Sequence, residues 1–175
     1  MGWRVQHTCH LGSEVEMRVG GDFVYDPRVG DPTTDLLLVA GGIGVNPLYS
    51  MIQHAADLLQ EGATGIAVAK PRAVTLLFSA KTRQELIHRR TLQMLSEEFP
   101  TINVRLFVTQ EPEAGDVNIA VGRIGEAQLR DALDGLEKSA TWCYVCGPTP
   151  MIDEVETALQ KLGVTKDRIR AEKWC

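Results

Sequence analysis

Two loops rich in glycine and proline carry the residues best suited to chemistry. The first reads Gly41-Gly42-Ile43-Gly44-Val45-Asn46-Pro47, and the second reads Cys146-Gly147-Pro148-Thr149-Pro150-Met151. Glycine lets backbone N–H groups approach a phosphate closely, and the start of a following helix adds partial positive charge. The first loop therefore predicts an anion site of the dinucleotide type, although Pro47 stands where the third glycine of that fingerprint belongs. A plain tight turn between a strand and a helix is the alternative interpretation of this loop by itself.

The second loop has the same two interpretations. Gly147 permits close backbone approach, and the two prolines preset the shape of the loop for a ligand. In the alternative, the loop is a rigid turn and Cys146 is simply the last buried residue of a strand. Cys143 and Cys146 have C-x-x-C spacing, but residues three apart on a strand face opposite sides. We therefore expect buried thiols at these positions and not a redox pair.

Other classes of function are disfavoured by charge and composition. The net charge of −5 argues against a nucleic-acid-binding surface. No apolar run is long enough to span a bilayer, and residues 1–6 contain no targeting signal. His7, Cys9 and His10 lie close together but have no fourth ligand nearby, so no metal site is expected.

Short apolar runs predict five strands, at residues 36–40, 74–79, 104–109, 142–146 and, more weakly, 168–172. Amphipathic segments between them predict four helices. In the first helix, Asn46 is the expected N-cap and Pro47 the first helical residue. A capping-box pattern from Thr82 to Glu85 is expected to open the second helix, whose inward side chains would be Leu86, Ile87, Met94 and Leu95. The other two helices are expected at residues 126–136 and 151–162.

This alternation predicts a doubly wound α/β domain with a five-stranded parallel sheet. Right-handed crossovers give the strand order 3-2-1-4-5, counted along the chain. The order reverses between the first and fourth strands, and ligands of such sheets bind at the carboxyl ends of the strands that flank a reversal. Both loops are therefore expected to line one crevice. Residues 14–19 alternate polar and apolar side chains, so residues 1–31 are expected to be a partial β segment ahead of a domain at residues 32–175.

With these motifs in this order, the sequence resembles the pyridine-nucleotide half of the ferredoxin–NADP reductase superfamily over residues 30–175. The likeness extends to the segments Phe78-Ser79-Ala80-Lys81-Thr82, Gly122-Arg123-Ile124 and Glu172-Lys173-Trp174. Residues 10–27 are similar, less specifically, to the closing strands of that superfamily's flavin-binding barrel.

The resemblance implies an NAD(P)H-dependent oxidoreductase in which hydride passes between nicotinamide and flavin. It implies that the loop from Gly41 to Pro47 cradles the pyrophosphate and that Cys146 lies beside the nicotinamide. Gly147, Pro148 and Met151 would shape the nicotinamide-ribose pocket. Trp174 would lie near the flavin, or would simply be an exposed or core-packed terminal residue. Ser79 and Lys81 would face the adenosine ribose, or would be surface residues that open a helix.

The choice between NAD(H) and NADP(H) rests on the residues that follow the third strand. A 2′-phosphate needs arginine or lysine, and NADP-dependent members of the superfamily often place Ser-Arg or Thr-Arg there. This chain has Thr109 and Gln110, followed by Glu111, whose carboxylate suits a ribose hydroxyl and repels a phosphate. The sequence favours NAD(H), with Lys81 and Arg83 as the residues that argue for NADP(H).

The flavin is the point at which the sequence departs from the superfamily. The Arg-x-Tyr-Ser type motif of the barrel is absent, and residues 1–31 supply at most two strands, too few to close a barrel. FAD binding is therefore implied by the resemblance while the domain for it is incomplete. An exposed apolar patch is expected where the barrel would pack, at Val15, Met17, Val19 and Phe23.

Two functions stay open at this point. The chain is either the NAD(H)-binding domain of a flavin-dependent oxidoreductase or a non-catalytic module that binds a dinucleotide or a partner without turnover. The expected partners are a dinucleotide and a flavin domain or redox acceptor protein, and the resemblance implies a mitochondrial or cytoplasmic location. A flavodoxin-like signalling domain is disfavoured, because it would have acidic residues at the end of the first strand, where this chain has glycines.

Overall fold

Strand β1, Asp35–Gly41, lies in the middle of the sheet and is buried along its whole length. The computed structural model describes residues 10–14, 16, 20–60, 68–111 and 116–174. In it, β1 pairs in parallel with β2, Val74–Ala80, on one side and with β5, Thr141–Pro148, on the other. The outer strands are β3, Ile102–Val108, β4, Ile119–Val121, and β6, Ile169–Trp174. The strand order is β4-β3-β2-β1-β5-β6.

Within the described residues, four helices cover the two faces of this sheet. Helices α1, Val45–Gln60, and α2, Arg89–Glu98, pack on one face, and helices α3, Glu126–Leu133, and α4, Thr149–Lys161, pack on the other. Successive side chains of a strand point to opposite faces. Leu38 of β1 accordingly joins the core on the α1 side, and the next residue along, Val39, joins the core on the α4 side.

The doubly wound α/β class is confirmed, and so is the order of the five predicted strands. The predicted count of five strands is wrong, because Ile119–Val121 adds a sixth strand beside β3. This edge strand is three residues long, and of its side chains only that of Ile119 is buried. Its apolar run of three residues is too short to be recognised as a strand in the sequence.

Helix α1 begins earlier than predicted. Gly42–Gly44 forms a 3-10 turn that runs directly into Val45, whose N–H donates to the carbonyls of Gly42 and Ile43. Asn46 therefore lies inside the first turn of the helix and is not its N-cap.

Helix α2 begins later than predicted, and the expected capping box is not formed. Thr82 makes no side-chain capping hydrogen bond, and Arg83–Glu85 forms only a short 3-10 turn. The chain then passes through a left-handed conformation at His88, with φ of 59°, before the helix starts. The different start places Leu92 in the core and leaves Met94 65% exposed, contrary to the expectation that Met94 would point inward.

The segment before β1 packs against the sheet. The ring of Phe23 meets that of Tyr144 edge to face, with centroids 5.5 Å apart, and the Tyr144 hydroxyl donates to the Val24 carbonyl at 2.9 Å. Tyr25 is buried in the core on the α1 side. Phe23 is therefore partly buried and not part of an exposed patch. Val15, Met17 and Val19, and with them most of the predicted strand, lie outside the described residues, and the domain boundary stays a prediction.

A buried carboxylate secures the amino end of β1. The Asp35 side chain is 4% exposed and accepts hydrogen bonds from Nε and Nη2 of Arg72 at 3.2 and 2.9 Å. It also accepts the backbone N–H of Glu137 at 2.9 Å, and Arg72 donates to the Glu137 carboxylate at 2.9 Å. One side chain thus holds the segments that lead into β2 and β5 against the start of β1.

None of the helices in the described ranges is long and apolar enough to cross a membrane.

We expect Asp35→Ala to lower the free energy of unfolding by about 2–3 kcal/mol, because it leaves three donors without their charged acceptor. Urea denaturation measures this loss. The control is Asp131→Ala, which removes an exposed partner of Arg105 and should cost less than about 1 kcal/mol. Equal losses in the two variants would contradict the interpretation of Asp35.

Candidate functional site

A cavity of about 240 Å³ lies at the carboxyl ends of β1, β2, β3 and β5. Seven predicted site residues line it: Gly41, Gly42, Ser79, Lys81, Thr109, Pro148 and Met151. The lining residues that the sequence analysis did not assign are Ala80, Glu85, Arg123, Ile124 and Glu154. The cavity therefore lies at the reversal of strand order, between β1 and β5, where the topology places a ligand.

A larger groove of about 500 Å³ runs between α3 and α4. It shares Ile124 and Glu154 with the cavity, but side chains of the two helices form most of its wall and no strand-end glycine contributes to it. The smaller cavity is therefore the candidate site, because only there do the glycine loops and the strand ends meet.

Gly42 leaves open space on the cavity wall. Its φ of 55° is a left-handed conformation that glycine adopts without strain, and a Cβ atom added there would meet nothing within 4 Å. The turn that begins at Gly42 leads into the sixteen-residue helix α1, whose N-terminus favours negative charge. Next to it, the Ile43 side chain is 58% exposed. An anionic ligand can therefore approach this backbone closely.

Gly44 serves a different purpose, which is packing between the two loops. A Cβ atom at Gly44 would overlap the backbone carbonyl of Cys146 and would lie 2.8 Å from the nitrogen of Gly147. A Cβ atom at Gly147 would lie 3.2 Å from the backbone of Gly41 and from the sulfur of Met151. Glycines at these positions let the turn after β1 and the end of β5 lie in direct backbone contact.

The two cysteines of β5 lie on opposite sides of the sheet, as predicted. Cys143 belongs to the core on the α4 side and Cys146 to the core on the α1 side. Burial raises the pKa of the Cys143 thiol from 9.0 to about 12. The Cys146 side chain is fully buried and does not line the cavity, and its backbone carbonyl lies directly against Gly44.

The other predicted site residues lie around the cavity without lining it. Gly44 and Val45 are buried, Pro47 is partly buried and Asn46 is exposed on the first turn of α1. Gln110 is exposed and donates its backbone N–H to the Lys81 carbonyl at 2.9 Å. The backbone of Trp174 pairs with that of Pro148 at the end of β6, which puts residue 174 next to the second loop. The Trp174 side chain lies outside the described part of the structure.

Two cations on the cavity wall have no ion-pair partner among the described residues. These are Lys81, after β2, and Arg123, after β4; both are exposed, and Glu85 and Glu154 complete the charged part of the wall. The motif Gly122-Arg123-Ile124 is part of the family likeness, but the sequence gives Arg123 no role. Only the tertiary structure shows that β4, which pairs with β3, brings Arg123 to the crevice.

Glu111, which follows β3, binds Arg83 through a hydrogen bond and an ion pair. Its Oε1 accepts the backbone N–H of Arg83 at 2.8 Å, and its Oε2 lies 3.6 Å from the Arg83 Nε. That second oxygen is buried and accepts no hydrogen bond among the described residues. Thr109, two residues earlier, lines the cavity and donates to the Ala80 carbonyl through its N–H at 3.1 Å. An unsatisfied carboxylate oxygen therefore lies close to the cavity wall.

The fold and the crevice define a pyridine-nucleotide-binding α/β domain of the ferredoxin–NADP reductase type. The family model described as "Oxidoreductase NAD-binding domain" matches residues 38–157, more than half of the chain. The chain belongs to this oxidoreductase NAD-binding domain family.

Individual relatives agree with this assignment. The Danio rerio protein "Oxidoreductase NAD-binding domain-containing protein 1" is 42% identical over 175 residues, which covers 96% of this chain and 63% of the relative. The chain spans between 54% and 63% of the length of the curated relatives with this name.

Two solved structures are similar in fold. A flavohemoglobin from Malassezia yamatoensis with bound FAD and heme superposes with a TM-score of 0.65 and 25% identity, over 83% of this chain and 33% of that chain. The CS-b5R domains of human Ncb5or, in the NAD+ form, superpose with a TM-score of 0.62 and 27% identity, over 79% of this chain and 36% of that one.

We expect Gly44→Ala to lower the free energy of unfolding by about 3 kcal/mol, because the new methyl group meets backbone that cannot move aside. The matched control is Gly135→Ala, since a Cβ atom there meets nothing within 4 Å and the glycine lacks a left-handed φ. The control should change the free energy by less than about 0.5 kcal/mol. Urea denaturation of the two variants measures both effects. A large loss in Gly44→Ala alone indicates that Gly44 is required for packing, and equal small losses in the two variants would contradict this.

The Cys143 thiol should resist alkylation at pH 8 while the protein is folded. With a pKa of about 12, only about one thiol in ten thousand is ionised at that pH, and the thiolate is the nucleophile. Iodoacetamide labelling followed by peptide mass spectrometry should show little modification of Cys143 without urea and full modification with it. Because ionisation favours the unfolded chain, stability should also fall as the pH rises above 9. Equal labelling rates with and without urea would contradict the protection of the Cys143 thiol in the folded state.

Proposed function

We propose that the chain binds NAD(H) in this crevice and provides the nucleotide half of a flavin-dependent oxidoreductase. The observation that carries the proposal is the open space over Gly42, at the N-terminus of α1 and on the wall of the cavity at the reversal of strand order. A dinucleotide pyrophosphate needs such a place, where backbone and helix end meet the ligand without an intervening side chain.

The chain's own residues have separate roles in this proposal. Gly42 and the start of α1 hold the pyrophosphate, and Lys81 and Arg123 supply the positive charges of the wall. Pro148 and Met151 shape the part of the pocket next to β5. When bound, the nicotinamide supplies a hydride to a redox partner. Cys146 supports the floor of the pocket from below and positions the loop.

Within the described residues no second sheet is present that could hold the flavin. We propose that the flavin is held by a separate domain or a partner protein. In support, the flavohemoglobin of similar fold contains bound FAD. Trp174, at the end of β6, is the residue we propose to lie nearest that domain.

We further propose that NAD(H) is preferred over NADP(H). Arg83 is the first arginine after β2, and Glu111 accepts its backbone N–H and lies 3.6 Å from its Nε, which offsets its charge. The negative charge of Glu111 near the end of β3 favours a ribose hydroxyl over a 2′-phosphate, which it repels.

Titration of the purified chain with NADH tests the proposal. NADH fluorescence should change saturably on binding, and failure to bind at millimolar dinucleotide would refute it. Diaphorase activity with added FAD distinguishes the enzyme from the non-catalytic module. Turnover by the original chain supports the enzyme, whereas NADH binding without any turnover supports the module.

We expect Glu111→Gln to narrow the preference for NADH over NADPH by about tenfold, since one charge repulsion is removed and Arg83 becomes available to a phosphate. The measurement is the ratio of the two dissociation constants in low salt. Glu98→Gln, an exposed change at the far end of α2, should leave the ratio unchanged. A ratio that is equal in both variants would show that Glu111 does not set the preference.

A further inference from the structure

A stacked pair of aromatic rings joins α1 to the loop before α2. The rings of Tyr49 and His88 are parallel within 6°, with centroids 4.1 Å apart. The same imidazole contacts Asn46, with Nε2 and Oδ1 at 3.2 Å. An amide oxygen can only accept, so Nε2 is the donor. Asn46 and Tyr49 are three residues apart on one face of α1, and His88 contacts both.

The backbone of His88 has an unfavourable conformation while its side chain makes these contacts. Its φ of 59° is the only positive value of a non-glycine residue in the described ranges, and such a conformation is disfavoured by the Cβ atom. Strain of this kind persists only where surrounding contacts impose it, and it concentrates at functional sites. The stack and the hydrogen bond are the contacts that impose it here.

The hydrogen bond determines which end of the Asn46 amide remains available. The amide has one accepting end and one donating end, and only the NH₂ group can donate to a phosphate oxygen. Because Oδ1 already accepts from His88, a flip of the amide would lose that hydrogen bond. The Asn46 NH₂ group has no hydrogen-bond partner among the described residues.

We propose that His88 is a positioning residue for the dinucleotide: it holds the Asn46 amide so that the NH₂ group is available to the pyrophosphate. The inference rests on the proposed function, because it needs a dinucleotide at the start of α1. None of Asn46, Tyr49 and His88 lines the cavity itself. Asn46 is exposed on the first turn of α1, four residues after Gly42, so His88 acts through Asn46 at the start of the helix.

A double-mutant cycle in NADH affinity tests this inference. His88→Gly removes the imidazole while glycine accepts the left-handed backbone, so the variant should fold with a melting temperature within about 3 °C of the original. We expect His88→Gly and Asn46→Ala each to raise the dissociation constant for NADH about fivefold, the effect of one hydrogen bond. The double variant should bind no more weakly than either single variant, because both changes remove the same interaction.

Two further variants make the test specific. His88→Asn tolerates the left-handed backbone but has a shorter side chain, so it should weaken binding as much as His88→Gly. Arg90→Ala removes an exposed cation two residues away and should not change the affinity.

Each outcome has a definite meaning. Unchanged NADH affinity in His88→Gly, with or without a lower melting temperature, would overturn the inference and show that the stack is only structural. Fully additive losses in the double variant would also overturn it, because His88 would then not act through Asn46. Failure of the original chain to bind NADH would instead refute the proposed function, and this inference with it.

Discussion

The backbone of Gly44 lies directly against the carbonyl of Cys146, and no side chain at residue 44 fits between them. This contact joins the turn after β1 to the end of β5, the two strands that flank the reversal of strand order. The close approach continues from Gly147 to Gly41 and to the Met151 side chain. It forms the floor of the crevice, and it explains why three of the four loop glycines are needed for packing. Gly42 alone is left to provide space for a ligand.

The two ends of β1 are secured by different forces. At its amino end the buried Asp35 carboxylate is held by the Arg72 guanidinium and a backbone N–H. At its carboxyl end the close backbone packing of the glycine loops holds β1 against β5. The ion pair and the crevice are separated by the length of the strand.

The polar wall of the crevice is organised before any ligand arrives. Backbone hydrogen bonds from Thr109 and Gln110 to the end of β2 join the loops after β2 and β3, and Glu111 fixes Arg83 in the same region. At the start of α1, His88 donates a hydrogen bond to Asn46. Preorganised groups lose little entropy on binding, which is consistent with a site for a long, flexible dinucleotide.

The sequence by itself determined the fold class, the order of five strands and the opposite placement of Cys143 and Cys146, because these follow from hydrophobic periodicity and the handedness of crossovers. It also located the two loops and placed both at one crevice. The edge strand β4, the late start of α2 and the outward Met94 were decided by tertiary structure, since three-residue pairing and a left-handed His88 leave no periodic signal. The contacts of Glu111 with Arg83 and of His88 with Asn46 join residues 28 and 42 positions apart. Only the packed sheet could bring them together, because no local pattern encodes which side chains meet across neighbouring strand ends.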